Sequence, residues 1–246
     1  MAYIDEMRKT GNWLFRWRSY LPLVFIAVVL TSLTQFHFLG DNEFEDELWE
    51  VGCLLICLFG LGIRGLTIGY TPERTSGRNV HEQRADQLNT TGLYSVVRHP
   101  LYLGNFFIWL GIALVPHDWL VVLACVSIFC LYYERIVIAE EDFLAEKFGE
   151  SFQHWADATP AFVPNLKLYR RSENSFSLRN VLKREYPAFS GIILTSYLLE
   201  VLSDYRVLGK VEVGTFWLVL VALAIGVHVV LRTLKKHTRW LHVRGR

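Results

Sequence analysis

Apolar residues in this chain come in blocks separated by charged stretches, and the block lengths set the expected architecture. Tyr20 to Phe38 gives 19 residues without a charge, enough at 1.5 Å per residue to cross about 30 Å of hydrocarbon. A second block, Leu48 to Tyr70, is interrupted only by Glu50 at its start and Arg64 in its second half. After a polar segment from Thr71 to Thr91 comes a 15-residue block, Leu101 to Val115, then the turn Pro116, His117, Asp118, then a return block, Trp119 to Ile138. These two read as a helical hairpin whose ends emerge on one face. Residues 139–186 are polar and basic and open with EEDFLAEKFGESFQHWAD, whose apolar positions have helical spacing. Two further spans are expected at Pro187 to Leu202 and Gly214 to Leu231. The pattern predicts an all-α, polytopic transmembrane bundle of about six apolar helices, including the hairpin, with additional cytoplasmic helices. No repeat or separate soluble unit is visible, so residues 1–246 read as one integral membrane domain.

Composition agrees with a membrane chain: 52% of residues are hydrophobic, 14% are aromatic, and mean hydropathy is +0.26. The net charge of +1 points to no partner, but the placement of charge orients the bundle. With six crossings, 22 of the 25 Lys and Arg residues fall on segments that share one face. Arg206 and Lys210 fall opposite, and Arg64 lies within a span. By the positive-inside rule both termini and the polar segments beside the hairpin are cytoplasmic, and the acidic connection GDNEFEDE lies outside. Compactness favours a bacterial inner membrane. The N-terminal Arg8, Lys9, Arg16 and Arg18, with two tryptophans, suit an amphipathic lead-in. Arg232, Lys235, Lys236, Arg239, Arg244 and Arg246 make a basic tail suited to anionic lipid headgroups rather than to nucleic acid. Cys53, Cys57, Cys125 and Cys130 all lie in apolar runs and behave as small hydrophobes, so neither a disulfide framework nor a metal site is expected.

Chemistry concentrates in GLYSVVRHPLYLGN, residues 92–105. Pro100 pushes His99 out of the helical region, so a helix begins at or after the proline. Arg98 and His99 then sit on a short rigid ledge where the chain enters apolar surroundings. That position suits a binding site and equally an interfacial anchor of Arg and Tyr. The hairpin returns the chain to the same face at Glu134, Arg135, Glu140 and Glu141, with positions 134, 137, 138 and 141 on one helical face. Arg64 lies about six residues from the cytoplasmic end of its helix, roughly 9 Å. It can snorkel to the interface or hold an anionic headgroup, paired with Arg98.

The pattern G-x-Y-x-x-x-R-H-P-x-Y-x-G at Gly92 to Gly104, then R-I-x-x-x-E-E at Arg135 to Glu141, then F-G at Phe148 and Gly149, resembles the isoprenylcysteine carboxyl methyltransferase family and its phospholipid methyltransferase relatives. The resemblance covers about residues 50–164, and the C-terminal helices 187–231 stand outside it. It implies an integral membrane enzyme using S-adenosylmethionine (SAM) on a lipid or lipidated substrate. Carried over residue by residue, Tyr94, His99, Tyr102, Gly104, Glu140 and Glu141 line the SAM site and Arg98 lies near the reacting groups; Arg64 joins Arg98 as a candidate only from its place on its helix. Phe152 and Trp155 depart from the tyrosines usual after the F-G.

A cytosolic zwitterion needs a cytosol-facing site, and carboxylates and aromatic faces suit its hydroxyls, ammonium and sulfonium. The two arginines favour O-methylation of a carboxylate or lipid phosphate over N-methylation of a phospholipid amine. The alternatives are an NADPH-dependent sterol or enone reductase, which resembles this family near H-P-x-Y-x-G but tends to carry an acid where Asn105 stands, and a transporter. A transporter would place its polar groups at mid-membrane, whereas here they gather at one face.

Overall fold

The computed structural model describes every residue except 1, 19, 42, 73, 74, 76–84, 212, 213, 244 and 246. Arg74, Arg78, Arg84, Arg244 and Arg246 therefore lie outside the described residues. Among the described residues eight α-helices follow in order: α1 (Ala2–Trp17), α2 (Leu21–Ser32), α3 (Glu43–Tyr70), α4 (Pro100–Leu114), α5 (Trp119–Phe148), α6 (Glu150–Ala158), α7 (Leu178–Leu208) and α8 (Thr215–His237). Helices α3, α5, α7 and α8 are long and apolar enough to cross a membrane, and Leu23–Gln35 and Pro100–Leu114 are shorter apolar helices. Among the described residues six apolar helices are present, as the hydrophobic blocks predict, and the chain is an integral membrane protein.

Three elements depart from the sequence pattern. The first apolar block is not one long helix, because α2 stops at Ser32 and a single 3₁₀ turn leads to extended backbone at Phe36. Thr31, Ser32 and Thr34 donate their hydroxyls to the carbonyls of Val28, Val29 and Thr31 at 2.6, 2.6 and 2.8 Å. Such back-bonding offers the backbone an alternative to continued helix. The N-terminal segment is more than a surface lead-in: α1 packs along α5, with Arg8 paired to Asp142 at 2.6 Å and the Tyr132 hydroxyl donating to the Leu14 carbonyl at 2.8 Å. Gly11 makes this approach possible, since a Cβ there would collide with the Arg135 carbonyl.

The third departure matters most for function. Helix α7 does not begin at Pro187 but nine residues earlier at Leu178, with the proline inside it. Ser177 caps it, accepting from the Asn180 backbone N–H at 3.3 Å, and the Asn180 amide donates to the Ile68 carbonyl at 2.9 Å. A buried tie to α3 thus holds the polar first turns in place despite the hydrogen bond that Pro187 removes. The stretch Leu178 to Tyr186, part of the polar and basic segment in the sequence, becomes bundle.

Helices α3 and α4 pack most closely, through small residues. A Cβ on Gly60 would strike the Gly104 carbonyl, and one on Gly111 would strike the Cys57 sulfur. Close backbone approach of this kind is how apolar helices associate where lipid supplies no hydrophobic drive. At the hairpin turn Asp118 caps α5, accepting from Leu120 and Val121 N–H at 3.0 and 3.2 Å. Helix α5 runs 30 residues, about 45 Å, so it carries its helical register past the apolar zone to Glu140 and Glu141. It ends at Gly149, whose φ of +53° suits glycine at a helix terminus. Helix α7 runs antiparallel to α3, with Glu185 beside Arg64 and Glu200 beside Glu50. Asp46, Glu50, Glu200 and Asp204 are all buried at the end of this interface remote from the ledge.

Candidate active site

The ledge is built by a short turn and pinned by a distant loop. Gly92, at φ +63°, starts a 3₁₀ turn over Leu93–Ser95. Its N–H donates to the Arg170 carbonyl at 2.8 Å, the Arg98 N–H donates to the Pro160 carbonyl at 2.9 Å, and Asn165 N–H donates to the Val96 carbonyl at 3.0 Å. The Trp155 indole N–H donates to the Tyr94 carbonyl at 3.0 Å. His99 stands immediately before α4, with φ −122° and ψ 63°, and Pro100 opens the helix.

On this ledge the two halves of the sequence pattern meet. The Glu141 carboxylate accepts from the Arg98 guanidinium at 3.1 Å and pairs with His99 Nε2 at 2.8 Å. The Tyr102 hydroxyl donates to Glu140 at 2.8 Å, and the His99 and Tyr102 rings stack with centroids 5.5 Å apart. Both oxygens of Glu141 thus face the ledge, whereas Glu140 lines a cavity of about 520 Å³, a volume ordinary for a small-molecule site. Its walls also include Tyr94, Arg98, His99, Tyr102 and Trp155. Burial and the nearby Glu140 raise the Tyr94 pKa, partly offset by Arg184 and Arg64, so Tyr94 is a neutral wall at physiological pH.

Arg64 does not snorkel. Its side chain, 18% exposed, turns inward and donates from Nε and Nη2 to the two oxygens of Glu185 at 2.7 and 2.8 Å. Its Nη1 donates to the Asn105 side-chain amide oxygen, Oδ1, at 2.6 Å, and the Asn105 side-chain NH2 donates to the Tyr133 hydroxyl at 2.9 Å. Arg64 and Arg98 are therefore not a bare cationic pair: each has its own carboxylate.

Of the eight residues expected at the site, Tyr94, Arg98, His99, Tyr102, Glu140 and Arg64 line the one cavity. Glu141 reaches it only through Arg98 and His99. Gly104 is no wall of the cavity: it lies in the α3–α4 contact, where a Cβ would fall 2.5 Å from Arg64 Cγ. Glu134 is exposed and takes no part; the inward face of α5 runs instead through Tyr133, Val137 and Glu140.

The sequence reading missed Phe15 from α1, Arg18 just beyond its end, Asn105, Tyr133, and Arg184 and Glu185 from α7. Tyr133 could have been found from its seven-residue spacing to Glu140. Nothing local marks Glu185, because its partner is 121 positions away. All four cysteines are free thiols, and among the described residues no three His, Cys, Asp or Glu side chains converge as a metal site.

The phospholipid methyltransferase family model matches residues 51–151, the stretch that holds Arg64, the ledge and Glu140. A cobalt-zinc-cadmium resistance protein, CzcN, of Cupriavidus metallidurans is 35% identical over 165 residues, covering 66% of this chain and 71% of the relative. A nickel-cobalt-cadmium resistance protein, NccN, of Alcaligenes xylosoxydans xylosoxydans is 30% identical over 165 residues, covering 67% and 72%. A protein-S-isoprenylcysteine O-methyltransferase of Schizosaccharomyces pombe is 32% identical over 78 residues, covering 31% and 33%. No solved structure shows a significant match. With the family pattern lying on the residues that build the cavity, the reductase and transporter alternatives fall away: the chain belongs to the isoprenylcysteine carboxyl and phospholipid methyltransferase family and is an integral membrane methyltransferase.

Proposed function

We propose that this chain transfers a methyl group from SAM to an anionic oxygen, carboxylate or lipid phosphate, on a membrane-embedded amphiphile. The observation that carries the reading is the make-up of one cavity wall: Arg18, Arg64, Arg98 and Arg184 against Glu140 and Glu185, among the aromatic rings of Phe15, Tyr94, Tyr102, Tyr133 and Trp155. The excess of guanidinium groups suits an acceptor that is already an anion and needs no general base. Its negative charge is attracted more strongly there than in open water.

SAM fits the cavity by size, by the Glu140 carboxylate available to its hydroxyls or ammonium, and by aromatic faces available to its adenine and cation. When bound, it supplies an electrophilic methyl on a sulfonium. Glu140, Tyr102, His99 and Tyr94 hold the cofactor end in this reading, and Glu141 holds His99 and Arg98 in place. Arg98 orients the acceptor oxygen in line with the methyl, an alignment that converts an encounter into an effectively intramolecular step. We place the cavity, both termini and the basic tail on the cytoplasmic face of a bacterial inner membrane, with the tail on anionic lipid. Charge placement supports the orientation, and the bacterial sources of CzcN and NccN support the membrane. Residues 1–246 act as one domain, since α1 and α7 both contribute to the cavity built around the family core.

One observation favours a second reading, N-methylation of a phospholipid amine: Glu185 and Glu141 already match the charges of Arg64 and Arg98. Mass spectrometry of lipids from cells with and without the gene separates the two. A gain of one methyl on a carboxylate or phosphate ester supports the first reading, and a gain on nitrogen replaces it with the second.

A further inference from the structure

Glu185 lies on α7, outside the matched residues 51–151, yet it makes a two-point side-chain contact in the cavity wall. Its carboxylate, 5% exposed, takes Arg64 side-on through both oxygens at 2.7 and 2.8 Å. Asn105 takes a third N–H of the same guanidinium at 2.6 Å and is itself fixed by Tyr133 at 2.9 Å. Three of the five guanidinium N–H groups are thereby committed, and the planar fork is held from two sides. Gly104, next to Asn105 in the chain, leaves the space that the Arg64 stem occupies. Two consecutive ledge-helix residues and one α7 carboxylate thus all serve a single arginine that faces the cavity.

A buried ion pair is a poor device for stability alone, since apolar residues of similar volume commonly do as well. Placed on a cavity wall, it does something apolar residues cannot: it presents fixed donors without leaving a bare buried cation. We propose that Glu185 is a positioning residue for methyl transfer. By gripping Arg64 it sets the donor edge that meets the acceptor headgroup, so that α7 completes the active site and takes part in choosing the acceptor. The inference rests on the cavity being the methyl-transfer site. It assigns to the α7 end of the cavity an acceptor with an oxygen-rich polar head, which can receive the remaining Arg64 N–H groups whether or not it carries a full charge.

The test uses full-length protein reconstituted with membrane extract from a strain lacking the gene, with tritiated SAM as donor, and calorimetry of SAM binding alongside. The double variant Arg64→Met/Glu185→Met removes both charges and should fold, keep a SAM dissociation constant within about threefold of wild type, and lose at least tenfold in turnover. Glu185→Asp keeps the charge, and with it the fold, but cannot reach both nitrogens. It should fall between wild type and the double variant in turnover with an unchanged KM for SAM. If either variant folds and turns over like the wild type, the pair is merely structural and the inference is overturned. Loss of SAM binding in parallel with turnover would also overturn it, by moving Glu185 to the cofactor end. Failure of wild-type protein to methylate anything in the extract would instead remove the underlying functional reading.

Discussion

Removing one carboxylate from the cavity wall should separate the cofactor-facing acid from its neighbours on the same helix. Glu140 lines the cavity and accepts the Tyr102 hydroxyl at 2.8 Å. Glu141 spends both oxygens on Arg98 and His99, and Glu134 is exposed. A charge-assisted hydrogen bond contributes about 1.5–3 kcal/mol. With 1.4 kcal/mol per factor of ten, Glu140→Gln should weaken SAM binding by about 10- to 150-fold. The Glu140 side chain is 31% exposed, so water compensates for part of the loss and the lower half of that range is expected. Glu141→Gln acts only through the ledge and should cost SAM a smaller factor while lowering turnover through a displaced Arg98. Glu134→Gln should leave affinity within about twofold, since surface changes away from partners seldom exceed 0.5 kcal/mol. Isothermal titration calorimetry in detergent, on variants that retain the wild-type gel-filtration profile, reads all three. Unchanged affinity in Glu140→Gln, or an equal loss in all three, would refute this placement of the cofactor end.

Arg98→Lys keeps the charge but loses the planar fork; on an anionic acceptor it should recover only part of the activity lost in Arg98→Ala, with a flat rate profile above about pH 7. A rate rising steadily through pH 8, with Arg98→Lys as active as wild type, would point to an amine acceptor. A cysteine placed at Glu45 should be labelled from outside the cytoplasmic compartment and one at Arg170 protected; labelling of both from the same side would reject the proposed orientation. Gly60→Ala should sharply reduce the yield of folded protein, because its Cβ would meet the Gly104 carbonyl and, at 2.9 Å, the Ile108 nitrogen and Phe107 Cβ; a normal yield and thermal stability would show that α3 and α4 can separate without penalty.

Hydrophobic blocks made the apolar helices legible, because a bilayer-spanning helix must be apolar over a length that is read directly. Local chemistry made the ledge legible: Pro100 restricts His99, and the hairpin geometry brings Glu140 and Glu141 back to Arg98. What could not be read was anything decided by pairing across distant segments. Leu178 to Tyr186 reads only as part of a polar, basic segment, because its stabilising partners, Ile68 for Asn180 and Arg64 for Glu185, belong to a helix more than 100 residues earlier. For the same reason Arg64 reads as a snorkelling cation or a holder of an anionic headgroup, with no sign of its pairing to Glu185. Likewise, the uncharged block Tyr20 to Phe38 hides the hydroxyls of Thr31, Ser32 and Thr34, which turn the backbone out of the helix. Gly104, expected on the wall of the SAM site, instead makes room for Arg64 in the α3–α4 contact, which its neighbours in the sequence do not reveal.

The most direct test is transfer of label from methyl-tritiated SAM by the purified protein, reconstituted with membranes of a strain lacking the gene. Radioactivity should move into an organic-extractable amphiphile with wild-type protein. With Arg98→Ala it should fall at least tenfold although SAM still binds, since the proposed role of the guanidinium is to hold the acceptor. Label that stays wholly in the aqueous phase with wild-type protein, or that moves equally well with Arg98→Ala, would contradict methyl transfer to a membrane amphiphile at this cavity.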